Sequence, residues 1–391
     1  MKKILSLTLT AVMVAGLAAC GNSSSTSTTA AETASVAETE AAGAEKPETI
    51  TITAMNANSE PIEVEVPYDP QRVVVVDMAS LDILDNLGLG DRVVGSSTTA
   101  LEYLQSYVND ENVANLGTIK EADMEAVMAC EPDIIFMGGR MAEYYDALNE
   151  IAPVVRLIAD TDDGVVESVR KNANTIASIF GVEDKVEATM ADFDERIAAL
   201  GEFAEGKTAL VGMCTSGSFN LLGNDGRCSI IGREIGFDNL GVDVVAAQSE
   251  SGSGRSGRGG NSETTETTAA GENAETAESS ERSGRGGHGS SEVGENSQGG
   301  GTATHGNEAS FELIVSLNPD YIFFMDRDAA IGTDGAQLAQ EIMENELVMG
   351  TDAYKNGNIV YLKHPGVWYT AEGGITALDY MLADLESALL N

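Results

Sequence analysis

Histidine is scarce: the 391 residues hold three, His288, His305 and His364. No HExxH or paired metal-ligand spacing accompanies them, which argues against a metallohydrolase. No serine sits in a credible nucleophile elbow, because the GxSxG-like strings fall in a Gly/Ser-rich stretch at 249–303. The four cysteines show no CxxC spacing, so neither a disulfide scaffold nor a structural zinc site is indicated. Setting Cys20 aside leaves Cys130, expected in the core, and Cys214 and Cys228, whose pairing stays open. Basic residues are few, 22 Lys and Arg against 63 Asp and Glu, for a formal net charge of −41. That balance opposes a nucleic-acid partner. After the N-terminal segment no apolar run is long enough to span a bilayer.

What is present begins with Lys2-Lys3, an apolar run from Ile4 to Leu17, and the small pair Ala18-Ala19, the pattern of a secretory signal at 1–19. Residues 20–48 are rich in Ser, Thr, Ala and Glu and read as a disordered tether. Residues 249–303, with GRSGRGG and GRGGHG, read as a low-complexity insert. Much of the acidity lies in these two segments, so it bears on solubility more than on a binding site.

Between them the chain alternates strand and helix, an α/β pattern. Val73-Val76, Val93-Val94, Ile134-Phe136, Val154-Val155, Ala209-Met213 and Ile359-Tyr361 read as strands. Helices are expected over Ser80–Leu87, Ala122–Ala129, Met141–Ile151, 183–204 and Ile375–Leu390. Val165, Val166, Val169, Ala173, Ile176, Ala177 and Phe180 recur at helical spacing, which predicts a connecting helix over 163–181. The expected organisation is an N-terminal α/β lobe at 49–162, that helix, and a C-terminal α/β lobe at 182–391 carrying the insert. Gly201 to Thr208 satisfies the P-loop pattern, but here a helix precedes and a strand follows, and Glu202 and Glu205 would repel phosphates, so nucleotide binding is rejected.

The most informative feature is an internal repeat. Glu125 and Glu312 each stand seven residues before a proline, Pro132 and Pro319, followed by Asp133 or Asp320, by Ile135-Phe136 or Ile322-Phe323, and by Arg140 or Arg327. One offset (312 − 125 = 187) relates all of these positions. Each unit reads as a helix stopped at Pro-Asp, a buried strand, and a loop ending in arginine. Loops leaving the carboxyl ends of strands bind ligands in open α/β sheets, so two facing units would aim two arginines at one cleft. That is an arrangement for binding small anions.

The segment Val73–Asp82, with Arg92-Val-Val-Gly95, Gly138-Gly-Arg140, Thr304-His305-Gly306, Asp326-Arg327 and Val367-Trp-Tyr369, resembles the ferric-siderophore solute-binding proteins of ABC importers. The nearest branch by motif is the catecholate binders of the enterobactin and petrobactin type, over roughly residues 60 to 390 apart from the insert. Leu17-Ala-Ala-Cys20 likewise resembles a bacterial lipobox, with Cys20 as the lipidated residue on the extracytoplasmic face of the cell membrane. The resemblance implies two α/β lobes joined by a single long helix. It implies that Arg140, Arg227 and Arg327 surround the anionic iron complex, and that His305 and Tyr369 ligate ferric iron, with Trp368 beside them in the ligand site. It implies that Glu125 and Glu312 dock onto an ABC permease that works with its ATPase. The resemblance further implies a monomer that performs no catalysis and has no intrinsic cofactor, with Fe(III) arriving as the siderophore complex. The family places an aromatic after the second arginine where this chain has Cys228, and His364 stands where relatives often have an acid, an alternative donor. Haem or cobalamin binding on the same fold, and a lipoprotein enzyme, are the weaker alternatives.

Overall fold

The computed structural model describes residues 47–160, 162–215, 217–253, 307–308, 311–333 and 339–390. Cys20, His305 and most of the low-complexity insert therefore lie outside the described residues. The chain opens with a hairpin of β1 (Thr49–Met55) and β2 (Pro61–Pro67), which are antiparallel. Ile52, Ala54 and Val66 face inward while Thr and Glu alternate outward, the pattern of a half-buried ribbon.

The first sheet is built from β3 (Val73–Val75), α1 (Met78–Asn86), β4 (Val93–Ser96), α2 (Gln105–Asn109), β5 (Ala114–Asn115), α3 (Met124–Ala129), β6 (Ile134–Met137), α4 (Tyr145–Asn149) and β7 (Val154–Arg156). Its five strands are all parallel in the order β5-β4-β3-β6-β7. The runs Val-Val-Val and Ile-Ile-Phe-Met are wholly buried, as strands covered on both faces must be. The helix expected over Met141–Ile151 is instead a 3-10 turn at Ala142–Tyr144 followed by α4.

Two helices, α5 (Val165–Phe180) and α6 (Asp184–Ala204), carry the chain onward. Gly181 takes the left-handed conformation that ends α5, and a side chain there would strike Tyr68. In the first turn of α5 Val166 N–H donates to the Glu234 carboxylate at 3.3 Å, while Asp69 N–H donates to Ile179 O in its last turn at 2.8 Å. The longer α6 starts beside Leu87, whose carbonyl accepts from Lys185, and ends where Phe203 meets Phe237 and Tyr321. Its 21 residues span about 30 Å.

The second sheet follows with β8 (Thr208–Thr215), β9 (Ser218–Leu221), α7 (Ile230–Arg233), β10 (Asp238–Asn239), α8 (Gly241–Ser253), β11 (Asn307–Glu308), α9 (Phe311–Leu317), β12 (Tyr321–Asp326), α10 (Arg327–Ala330), α11 (Ala339–Met343), α12 (Asp352–Lys355), β13 (Ile359–Tyr361), α13 (Pro365–Thr370) and α14 (Ile375–Leu389). The order is β11-β9-β8-β12-β13, with β10 also on β8; β8, β10, β12 and β13 are parallel, and β9 runs antiparallel to β8. Helix α8 continues past residue 249, where the low-complexity insert was expected to begin. Residues 201–208 form the end of α6 and the start of β8, helix then strand, the reverse of a phosphate-binding turn.

The repeat has a structural cause in both lobes. Glu131 and Asn318, each just before its proline, adopt positive φ of 44° and 40° and reverse the chain out of α3 and α9. Asp133 Oδ2 then accepts from Gln71 and Arg72 N–H, and Asp320 Oδ2 accepts from Thr208 N–H and Oγ1. Each aspartate thereby fixes the entry of the neighbouring central strand, β3 or β8.

One hydrophobic cluster runs through α1, α5, α6 and α14 and joins the two lobes. Within it Asp82 of α1 caps α14, accepting from Thr376 and Ala377 N–H at 2.8 and 2.9 Å and from Tyr103 Oη at 2.7 Å. Burial lifts this carboxyl to a pKa of about 6, against those three hydrogen bonds, which favour the ionised form. Gly374 is required here, since a Cβ would lie 2.3 Å from the Asp82 carboxyl carbon.

Candidate functional site

The carboxyl ends of both sheets meet at one cleft. Strand β6 delivers Gly138-Gly139-Arg140, β12 runs straight into Arg327 at the head of α10, and the Asn224–Arg227 loop leads into α7. Helix α13 brings in Trp368 and Tyr369. The three predicted arginines converge on this tyrosine. The guanidinium carbons of Arg227, Arg140 and Arg327 lie 4.3, 5.3 and 5.5 Å from the centroid of its ring. Arg140 Nη2 donates to the Tyr369 carbonyl at 2.7 Å, and Arg327 Nε donates to Tyr369 Oη at 3.1 Å.

Burial on its own would raise the Tyr369 hydroxyl pKa. The Arg327 hydrogen bond and the charges of Arg227, Arg327 and Arg140 outweigh it and leave the phenol below its ordinary value. Arg227 is itself lowered, first by burial and then by repulsion from Arg140. Three like charges around one ring are mutually unfavourable without an anion between them.

Below the arginines lies a cavity of about 370 Å³, lined by Asp77, Arg140, Arg227, Tyr369 and Glu372 among others. Of the four acids on its lining, Asp77, Asp160, Asp225 and Glu372, the buried Asp77 and Glu372 are biased towards neutrality. Burial pushes Glu372 up to about 7, against the Cys228 N–H it accepts at 2.8 Å and the nearby Arg227 charge. Burial also raises Asp77, which caps α1 through Ser80 N–H and Oγ, both at 2.9 Å. Gly138 is needed for this approach, because a Cβ there would meet Asp77 Oδ1 at 2.3 Å. Cys228, at φ 59°, turns its N–H onto Glu372 and so orients the Arg227 loop. With Arg140 and Arg227 on its wall and its two buried acids pushed towards the neutral form, a chamber of this size suits an organic anion.

A second chamber of about 500 Å³ adjoins it, with Thr370 bordering both. It is lined largely by apolar and aromatic side chains, including Leu101, Ile119, Ile331, Val367 and Tyr380. His364 sits on its wall with Nδ1 2.8 Å from Asp384 Oδ1, and its ring is 4.7 Å from that of Tyr380.

Trp368 corrects an expectation. It is fully buried, donates Nε1–H to Asp384 Oδ2 at 3.0 Å and borders neither chamber, so it holds α13 in place while its neighbour faces the cleft. Glu125 and Glu312 are exposed on α3 and α9 and line neither chamber. Cys130, Cys214 and Cys228 are buried free thiols. Glu372, Asp77 and Asp384 were not anticipated. Only the Glu-Gly-Gly after Tyr369 hinted that an acid sits close to the aromatic. Among the described residues no group of three His, Cys, Asp or Glu could hold a metal ion, and no helix is long and apolar enough to cross a membrane.

Two α/β lobes facing across a cleft where three arginines converge define a solute-binding architecture. The chain belongs to the periplasmic binding protein family, whose pattern it matches over residues 73–252 and 293–365. It is 30% identical over 327 residues to the petrobactin-binding protein YclQ of Bacillus subtilis, covering 83% of this chain and 84% of that one. It is 24% identical over 323 residues to the ferric-anguibactin-binding protein FatB of Vibrio anguillarum, 81% of each chain. The crystal structure of YclQ superposes with a TM-score of 0.67 at 28% identity, covering 88% of this chain and all (100%) of that one. The catecholate-siderophore binding protein VctP of Vibrio cholerae gives 0.65 at 25% identity, covering 86% and 100%.

Proposed function

We propose that this chain is the substrate-binding component of an iron-siderophore ABC importer and that its ligand is a ferric catecholate. The observation that carries the reading is the convergence of Arg140, Arg227 and Arg327 on Tyr369 beside a chamber whose buried acids Asp77 and Glu372 are pushed towards the neutral form. A ferric catecholate complex carries its net negative charge on iron-bound oxygens that keep lone pairs free, and guanidinium forks suit those oxygens. Relatives named for petrobactin and for a catecholate siderophore support the same class of ligand.

In this reading the ligand enters between the lobes and takes over the arginine N–H groups that Tyr369 now engages. Tyr369, lowered towards tyrosinate, supplies a hard oxygen donor for ferric iron where the siderophore leaves coordination sites open. His305, outside the described residues, is the second donor proposed. The apolar chamber beside His364 receives the uncharged part of the ligand. The protein captures and presents its cargo and does no chemistry on it. Haem and cobalamin fit less well, since both need a broad apolar face where the arginines stand.

The remaining assignments belong to the same proposal. Residues 1–19 act as the export signal and Cys20 carries the lipid. The lobes divide at 162 and 182 around the helix at 163–181, the protein works as a monomer, and Glu125 and Glu312 meet the permease. The test is a titration of the chain from residue 21 onward against ferric petrobactin, a ferric hydroxamate, haem and cobalamin. Tightest binding of the ferric catecholate is expected. A preference for any of the other three overturns the ligand assignment.

A further inference from the structure

We infer that Met128 and Val315 are paired apolar anchors of the permease-docking surface, each completing a two-residue contact with the glutamate one turn before it. The inference rests on the docking role proposed above for Glu125 and Glu312 and deepens it. Met128 and Val315 obey the repeat offset (315 − 128 = 187), as the glutamates do. Each lies three residues after its glutamate, on the same side of α3 or α9. Burial follows the repeat position by position: Val127 and Ile314 are fully buried, while Met128 and Val315 are 53% and 37% exposed. Met128 is the most exposed of the large hydrophobic residues described.

A single exposed methionine or valine is ordinary. Two at one repeat position beside two equivalent acids are harder to assign to solvent. The helices carrying them leave through equivalent turns, because Glu131 and Asn318 both take positive φ and Asp133 and Asp320 each accept two hydrogen bonds from the entry of the neighbouring central strand, β3 or β8. Neither α3 nor α9 contributes a residue to the two cleft chambers. The molecule therefore offers the same motif twice, an acid with an apolar knob beside it. A partner that fits both at once has two equivalent halves, each presenting a basic side chain next to a shallow apolar recess. A permease assembled from two like subunits has that form, and the paired positive charges supply the complementarity to Glu125 and Glu312. Methionine suits such a contact because its unbranched side chain adapts to an imperfect recess.

The test compares two double variants, Met128→Ser with Val315→Ser and Glu125→Lys with Glu312→Lys, in cells where each replaces the native chain. Iron-55 is supplied as ferric petrobactin, or as whichever ferric siderophore binds tighter in the titration above, and uptake is measured beside ligand affinity and melting temperature of the purified variants. The serine pair is expected to cut uptake by about fivefold or more, with affinity within about twofold and melting unchanged, as loss of interface anchors would. Normal uptake by the serine pair alongside abolished uptake by the lysine pair overturns the inference and leaves glutamate docking intact. Normal uptake by both pairs removes the docking reading itself. A fall in affinity or melting temperature for the serine pair makes the two residues structural and also overturns the inference.

Discussion

Replacing Arg327 with Ala separates a ligand-holding arginine from a structural one. Arg327 donates Nε–H to Tyr369 Oη at 3.1 Å, its guanidinium is 5.5 Å from the ring, and Nη1 lies 3.7 Å from the buried Asp328 carboxylate, so the side chain already has local contacts. Losing a cation from the ring removes about 0.5–1 kcal/mol of favourable interaction. Part of that is returned, because the repulsion among three clustered arginines is relieved. The melting temperature should therefore move by only a few degrees, at about 2–4 °C per kcal/mol for a chain of this size class. Binding is a different matter. Each charge-assisted hydrogen bond to catecholate oxygen is worth about 1.5–3 kcal/mol, which is roughly 10- to 150-fold in Kd. Calorimetric titration of wild type and Arg327→Ala with ferric petrobactin reads this directly. As a control, Arg92→Ala breaks an ion pair with Asp69 at 3.2 Å, away from both chambers, and should leave Kd unchanged. If Arg327→Ala binds within about twofold of wild type and melts much lower, the arginine is structural and the reasoning fails.

Glu372→Gln tests the protonation argument. The folded-state pKa of about 7 exceeds the unfolded value of 4.5, so the folded chain holds a proton that the unfolded chain has lost, and the stability due to this group falls as pH rises through that window. An anionic ligand favours the protonated form too, so affinity for a ferric catecholate should fall as pH rises from about 6 to 8 in wild type and stay flatter in Glu372→Gln; matching slopes would refute the role. Tyr369→Phe should weaken ferric binding by about tenfold and change the visible charge-transfer spectrum of the complex; an unchanged spectrum would make Tyr369 a stacking surface only. Gly374→Ala forces a Cβ into the Asp82 carboxyl that caps α14 and should cost about 1–3 kcal/mol in a thermal melt, whereas an unchanged melt would mean that the two lobes have slack at this joint.

The repeat was legible because it depends on short-range chemistry. A helix stopped at Pro-Asp, an apolar run and an arginine at fixed spacing specify a unit, and the structure holds Arg140 and Arg327 at equivalent strand ends. The strands from Val73 onward were legible for the same reason, since continuous β-branched runs between turns have few alternatives. The hairpin at 49–67 carried its signal in plain alternation, Thr-Ile-Thr-Ile against Ile-Glu-Val-Glu, but it stands outside the alternating strand–helix pattern that guided the reading. What could not be read depends on distant partners. Asp82 lies 294 residues from the Thr376 amide it accepts. Asp384 gathers the His364 and Trp368 side chains, so the tryptophan that adjoins Tyr369 in sequence points into the core. Glu372 gains its shifted pKa from burial against the Arg227 loop, which no local pattern encodes.

The central claim is that three arginines around Tyr369 hold a ferric catecholate between the lobes. A crystal structure of the chain with ferric petrobactin bound tests it most directly. The account predicts catecholate oxygens within hydrogen-bonding distance of Arg140, Arg227 and Arg327, with the iron nearest Tyr369 on the protein side. A complex seated elsewhere, or one that leaves the arginines on the tyrosine ring as they now stand, would contradict it.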